Sequence, residues 1–372
     1  MVLGPHKPSR EGRFDSRYPA SLTLAGKTID TTVDSRIAEY YAARYLANER
    51  TDPALDSIID DVQRRADGSA LEREHLRRLS NELSPDFAAL YLVKRSLEGD
   101  TAGRMQLAFG DEFRRLKEAV RSGHHDSAAE FSSFIILFAP GWRYRSHPET
   151  GADFARPRQV LTEMGFQTYL IESNDDSSVE SNADIIAREI VRYSRLGKNI
   201  MLASSSKAGA EVATALGERL DAEQSRSVRV WVNISGILKG TPLADPALHW
   251  FTRWFVRLSC LFRRVNFESV MSMTTPRGED RFRRLRIPKH ITVVNYIGVP
   301  LSGGITERAR RGYRKLRHVG PTDGLTLLLD EIVPDSATVF ELGVDHYYED
   351  PEIDLKTVAL TRTVLSHVLR QQ

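Results

Sequence analysis

Three serines, Ser204-Ser205-Ser206, close the apolar run Asn199-Ile200-Met201-Leu202-Ala203 and lead straight into Lys207-Ala208-Gly209-Ala210, small residues that open a helix. A serine on so sharp a strand-to-helix turn has strained backbone, and the positions two before and two after it must be small for the turn to close. Around Ser206 these are Ser204 and Ala208. The steric requirement of a nucleophile elbow is met although both glycines of G-x-S-x-G are replaced; serines capping a helix after an ordinary loop would leave the same letters. A hydroxyl is a weak nucleophile until a neighbouring base takes its proton, so the chemistry demands a histidine and an acid that orients it. Asp323 sits in the tight turn Gly320-Pro321-Thr322-Asp323-Gly324, and His346 follows the apolar run 337–342 within Gly343-Val344-Asp345-His346-Tyr347-Tyr348. Taken singly, Asp-Gly is a common turn pair and a histidine after a strand is commonly a surface residue. Together they stand in the order Ser, Asp, His near the ends of apolar runs, and loops at the carboxyl ends of parallel strands converge on one rim of a sheet.

Acyl transfer also needs donors for an oxyanion. The N–H of Lys207, directly after the serine, is one candidate. The N–H of Trp142, in Phe138-Ala139-Pro140-Gly141-Trp142-Arg143, is the other. Gly141 would let the backbone approach a substrate closely, and Trp142 would wall an acyl pocket; a tryptophan that only anchors the loop is the competing reading.

The elements that must hold these residues are legible from periodicity. Continuous apolar runs at 134–138, 168–171, 199–203, 228–234, 291–297 and 337–342 read as buried strands, and they alternate with helical stretches at 153–164, 179–196, 207–222 and 353–370. That alternation is the pattern of a mostly parallel, doubly wound α/β sheet covered on both faces. Ahead of it the texture differs. Residues 1–30, rich in Pro, Gly, Ser and Arg, read as a flexible segment with Ser21-Leu22-Thr23-Leu24 as one arm of a hairpin. Residues 31–128 read as all-helical, about five helices, from N-terminal signals at Asp52-Pro53, Ser69 with Glu72, and Ser84-Pro85, and stops at Gly99 and Gly123. The remainder, 129–372, is the α/β unit, with an insertion at about 240–288.

Composition bounds the function. With 41% hydrophobic and 27% charged residues the chain is not disordered. A net charge of +2 offers no global field for nucleic acid. The single cysteine, Cys260, forms no internal disulfide and no thiolate zinc cluster. His124-His125-Asp126 has no partner cluster, so no metal is expected. No signal-peptide stretch opens the sequence, and the run 250–262 is interrupted by Arg253 and Arg257 and falls short of the roughly 20 residues that span a bilayer. A cytoplasmic protein without stable membrane insertion is the expectation.

Strand-Pro-Gly-Trp, strand-Ser-x-Ser-x-Ala-Gly-helix, Asp-Gly in a late loop and Asp-His-Tyr after the last strand together resemble an α/β-hydrolase of the lipase and esterase kind over residues 130–372. The resemblance implies Ser206 as nucleophile, His346 as general base and then acid, Asp323 as its orienting carboxylate, Trp142 and Lys207 as oxyanion donors, no cofactor, and a small-molecule ester or thioester substrate with an apolar part. The chain departs from the pattern at the elbow glycines and at Pro140, where a histidine is common. Such hydrolases commonly insert a cap after the strand at 228–234. Here Trp250, Trp254 and Phe255 repeat at helical spacing and would line an apolar pocket beneath a cap. The same stripe would equally serve as internal packing, or as an interfacial helix lying on anionic lipid. A non-catalytic member of this architecture, binding an apolar ligand or a protein partner, is the alternative to a hydrolase. The resemblance leaves the helical N-terminal region and the oligomeric state unexplained.

Overall fold

The computed structural model describes residues 15–24, 27–66, 71–123 and 127–371. Its central sheet comprises β3 (Phe134–Ala139), β4 (Gln167–Leu170), β5 (Asn199–Ser205), β6 (Val228–Ile234), β7 (Thr292–Val299) and β8 (Ala337–Leu342), in the order β4-β3-β5-β6-β7-β8. Every pairing is parallel. Because side chains alternate along a strand, a parallel sheet buried on both faces must be apolar at consecutive positions. In β3, Phe134, Ile136 and Phe138 pack into one core and Ile135, Leu137 and Ala139 into another.

The first of those cores is closed by α5 (Asp100–Arg121), α6 (Ala155–Glu163) and α13 (Ile353–Leu369), the second by α7 (Val179–Ser194) and α8 (Lys207–Thr214). The insertion expected at 240–288 holds α9 (Trp250–Phe262), α10 (Phe267–Ser272) and α11 (Thr275–Arg284), and α12 (Glu307–Leu316) follows β7. The helix expected over 207–222 ends its regular part at Thr214 and continues as a π-turn over Ala215–Arg219.

Ahead of the sheet lie α1 (Arg36–Ala43), α2 (Pro53–Ala66), α3 (Arg73–Glu82) and α4 (Pro85–Leu97), with α5 as the fifth helix. The Asp52 carboxylate accepts the N–H groups of Ala54 and Leu55, each at 3.2 Å, and Ser84 Oγ accepts that of Phe87 at 3.0 Å. Both are N-caps where the sequence placed helix starts. Ser69 and the 124–126 histidine pair lie outside the described residues. Gly99, read as a stop, is also the N-cap of α5. The segment expected to be loosely held is a strand from Tyr18: β1 (Tyr18–Leu24) pairs antiparallel with β2 (Lys27–Val33), burying Ala20 and Leu22. Proline and serine content hid a two-residue alternation that one packed face is enough to order. The hairpin and α1–α4 share a core with Ile297, Val299, Phe340 and Leu342. The edge strand β8 is covered by α5: Gln106 donates to Phe340 C=O at 3.3 Å and accepts the Phe340 N–H at 2.7 Å.

Candidate active site

β5 delivers Ser206 to the carboxyl rim of the sheet, where the chain turns into α8. Ser206 has φ 55° and ψ −126°, a conformation that costs a non-glycine residue on the order of 1–3 kcal/mol. Backbone bonds hold it there: its N–H donates to Ile234 C=O at 3.0 Å, and its own C=O accepts from Gly209 at 3.0 Å and Ile237 at 2.9 Å. Gly209 is required by close approach, since a Cβ would lie 2.6 Å from both Asn233 Oδ1 and Gly236 Cα. The neighbouring serines differ in access. Ser204 is buried and its Oγ accepts from Trp231 Nε1 at 2.8 Å, whereas Ser205 and Ser206 line a cavity of ≈1060 Å³.

His346 lines the same cavity. Its Nδ1 is hydrogen-bonded to Asp323 Oδ2, and its N–H donates to Asp323 C=O at 3.0 Å. Asp323 is buried, and its other carboxylate oxygen accepts the N–H groups of Leu325 and Thr326, each at 2.8 Å. Burial works against a charged imidazole, but the Asp323 carboxylate and its hydrogen bond, with Asp345 adding, raise the His346 pKa above its ordinary value. With Nδ1 facing Asp323, Nε2 is the ring nitrogen left for a substrate or nucleophile. Among the described residues no hydrogen bond joins Ser206 Oγ to this ring, and such bonds are often long before substrate binds.

Trp142 also lines the cavity, and its indole Nε1 donates to Asp176 at 2.8 Å. Neither the Trp142 N–H nor the Lys207 N–H has a backbone acceptor among the described residues. The Lys207 side chain is 1% exposed and runs away from the cavity to Glu211 and the Ser177 C=O. Lys207 therefore offers this site only its backbone.

No protein-family model and no curated protein matches the chain. Among solved structures it is similar to the metagenomic carboxyl esterase MGS0156, with a TM-score of 0.53 and 17% identity over 66% of this chain and 78% of that one. It is also similar to Bacillus licheniformis lipase BlEst2 in mature form, with a TM-score of 0.50 and 17% identity over 63% of this chain and 91% of that one. The chain has the α/β-hydrolase fold.

On this α/β-hydrolase scaffold four expected pocket residues are placed differently. Trp250, Trp254 and Phe255 are 86%, 62% and 66% exposed and do not line the cavity. The cavity face of α9 is instead Val256, Ser259, Cys260 and Arg263. Spacing finds the two stripes of an amphipathic helix but not which one faces the protein, and here the larger apolar stripe faces outward. Gly141 is not on the cavity wall either; a Cβ there would lie 3.1 Å from Ser205 Oγ and 3.2 Å from Ala152 Cβ, so its small size serves the elbow.

Two residues of the site were not singled out from sequence. Asp176, after β4, ties Trp142 to the N–H of Asn266 at the start of α10. Glu331 is buried with no hydrogen-bond partner for either carboxylate oxygen among the described residues. Burial pushes its pKa well above the ordinary carboxylate range, and the Asp323 charge pushes it in the same direction. The acidic pair Asp175-Asp176 at a strand's carboxyl end was a visible signal for the first; nothing in the letters marked the second.

Proposed function

We propose that this chain is a serine hydrolase that cleaves a carboxylic ester or thioester through an acyl-enzyme. The observation that carries the reading is the buried Asp323–His346 pair sharing one cavity with a serine held in strained backbone. His346 Nε2 removes the proton as Ser206 Oγ attacks the carbonyl carbon, and the imidazolium is stabilised by Asp323 through Nδ1. The carbonyl oxygen becomes an oxyanion, received by the N–H groups of Trp142 and Lys207; each such donor contributes on the order of 3 kcal/mol. His346 returns its proton to the departing alcohol or thiol as the carbon–oxygen or carbon–sulfur bond breaks, leaving the acyl group on Ser206. Water, deprotonated by His346, then releases the acid and restores the hydroxyl. No step calls for a cofactor. Apolar side chains on the cavity wall, among them Phe138, Phe154, Leu243 and Val256, suit an apolar acyl or alkyl part.

Ser206→Ala is expected to remove turnover of p-nitrophenyl esters while leaving the unfolding transition in place, and a fluorophosphonate is expected to label Ser206 alone, read by mass spectrometry of the tryptic peptide. Undiminished labelling of Ser206→Ala would move the nucleophile to another serine on the cavity wall, Ser205 or Ser259. Absence of both turnover and labelling in the unaltered chain would leave a ligand-binding protein of this architecture.

A further inference from the structure

The cavity wall carries more positive charge than its own acids neutralise. Each carboxylate on the wall is engaged: Glu149 with His147 at 3.1 Å, Glu349 with Arg308 at 3.7 Å, and Asp350 with Lys356. Arg156, also on the wall, is held by Asp354 at 2.6 Å. Arg143 and Arg263 remain. One comes from the loop after β3 and the other from the end of α9, and among the described residues neither forms a salt bridge.

The loop chemistry around Arg143 keeps it in that state. Its backbone is left-handed, φ 58°, which an L residue adopts only where the surroundings impose it. The Arg143 N–H donates to Asp175 C=O at 2.9 Å, and its C=O accepts from His147 at 2.8 Å. The nearby acids are directed elsewhere. The Asp175 carboxylate accepts the N–H groups of Arg145 at 2.7 Å and Ser146 at 3.1 Å, along with the Ser146 hydroxyl. The Asp176 carboxylate is taken by Trp142 Nε1 and the Asn266 N–H. Arg143 Nε is out of solvent with no acceptor. The residue immediately follows Trp142, so its guanidinium belongs to the segment that would hold the oxyanion.

We propose that Arg143 and Arg263 together receive an anionic oxygen group, a carboxylate or a phosphate, on the apolar ester this cavity takes. The proposal rests on the ester-hydrolase reading and names the substrate class for the same site: an amphiphile with a charged head and an apolar body. A guanidinium suits either oxyanion through paired N–H donors, and two of them lacking internal acids favour a ligand that supplies the charge.

Binding tests the proposal without relying on turnover. The full chain is titrated calorimetrically, below the critical micelle concentrations, with octyl phosphate, octanoate and octyl glucoside. The expected result is binding of at least one anion at least tenfold tighter than of the glucoside, with the preference falling at least tenfold in Arg143→Gln and in Arg263→Gln. The more tightly bound anion identifies the head group. Arg263→Gln, at the exposed end of α9, keeps the test decisive if the strained Arg143 turn does not tolerate substitution. Equal binding of all three probes overturns the proposal, and so does an anion preference that survives both substitutions. A failed ester reading shows separately, as loss of p-nitrophenyl ester turnover and Ser206 labelling in a chain that still prefers the anion.

Discussion

Removing one charge separates the two influences on His346. Burial lowers its pKa, and the Asp323 carboxylate raises it by more. In the unaltered chain kcat/KM should therefore fall with decreasing pH along a limb whose apparent pKa lies above the ordinary histidine value of about 6.5, because the base must be neutral to accept the serine proton. In Asp323→Asn burial remains and the charge is gone. The limb is expected to move to lower pH, while kcat drops by up to ~10⁴-fold because the imidazole loses its orienting partner. A pH–rate profile of residual ester hydrolysis, with the fluorophosphonate reaction as a second readout, checks both; an unmoved limb would reject Asp323 as the partner that sets it. The candidate acid and base were legible in the sequence because each follows a turn or strand signal, and the order Ser, Asp, His limits the choices. Glu331 was not, because a buried glutamate has the same letter as a solvated one, and only packing separates them.

At the scale of the element, α9 decides what shape of molecule fits. Its inward stripe, Val256, Ser259, Cys260 and Arg263, lies on the cavity wall, and its outward stripe includes Trp250, Phe251, Trp254, Phe255 and Phe262. Val256→Trp should therefore shorten the preferred acyl chain in a graded p-nitrophenyl ester series, raising the hexanoate-to-dodecanoate ratio of kcat/KM by about tenfold, the order of one or two methylene-sized contacts. Trp254→Ser should leave that ratio unchanged and alter the unfolding free energy by no more than ~0.5 kcal/mol, as exposed positions do. The opposite pattern would put the outward stripe over the site. All six strands of the central sheet could be read from sequence, because burial on both faces makes each strand apolar throughout. The hairpin β1–β2 was only half visible: its seven-residue arms alternate, and polar residues such as Ser21, Thr23 and Asp30 mask the buried Leu22. The orientation of α9 depends on the tertiary neighbours, which periodicity does not encode.

Over the whole molecule, the N-terminal helices are joined to the α/β part by a buried acidic knot. Asp86, at the start of α4, accepts the Ser302 N–H at 3.0 Å, the Ser302 hydroxyl at 2.5 Å and the Asp34 N–H at 2.8 Å, and the Tyr313 hydroxyl of α12 reaches it at 3.3 Å. Asp34 lies opposite, with its carboxylate accepting the Asp86 N–H at 3.3 Å. Burial, reinforced by the Asp86 charge, raises the Asp34 pKa from 3.8 to about 8. The folded chain therefore holds a proton that the unfolded chain releases near pH 4. The stabilisation from that proton is complete below the unfolded pKa and is lost progressively up to about pH 8, at a slope of up to ~1.4 kcal/mol per pH unit. Urea unfolding of the full chain between pH 5 and pH 9 should show stability declining as pH rises. Asp34→Asn, which keeps the shape and cannot ionise, should flatten the decline between pH 5 and 8. The difference between the two slopes isolates Asp34 from the other buried carboxyls, Asp86 and Glu331, whose raised pKa values act in the same direction. Identical slopes would mean that Asp34 is already ionised in the fold, and that the knot is held by charge-assisted hydrogen bonds to Ser302 and Tyr313 rather than by a shared proton.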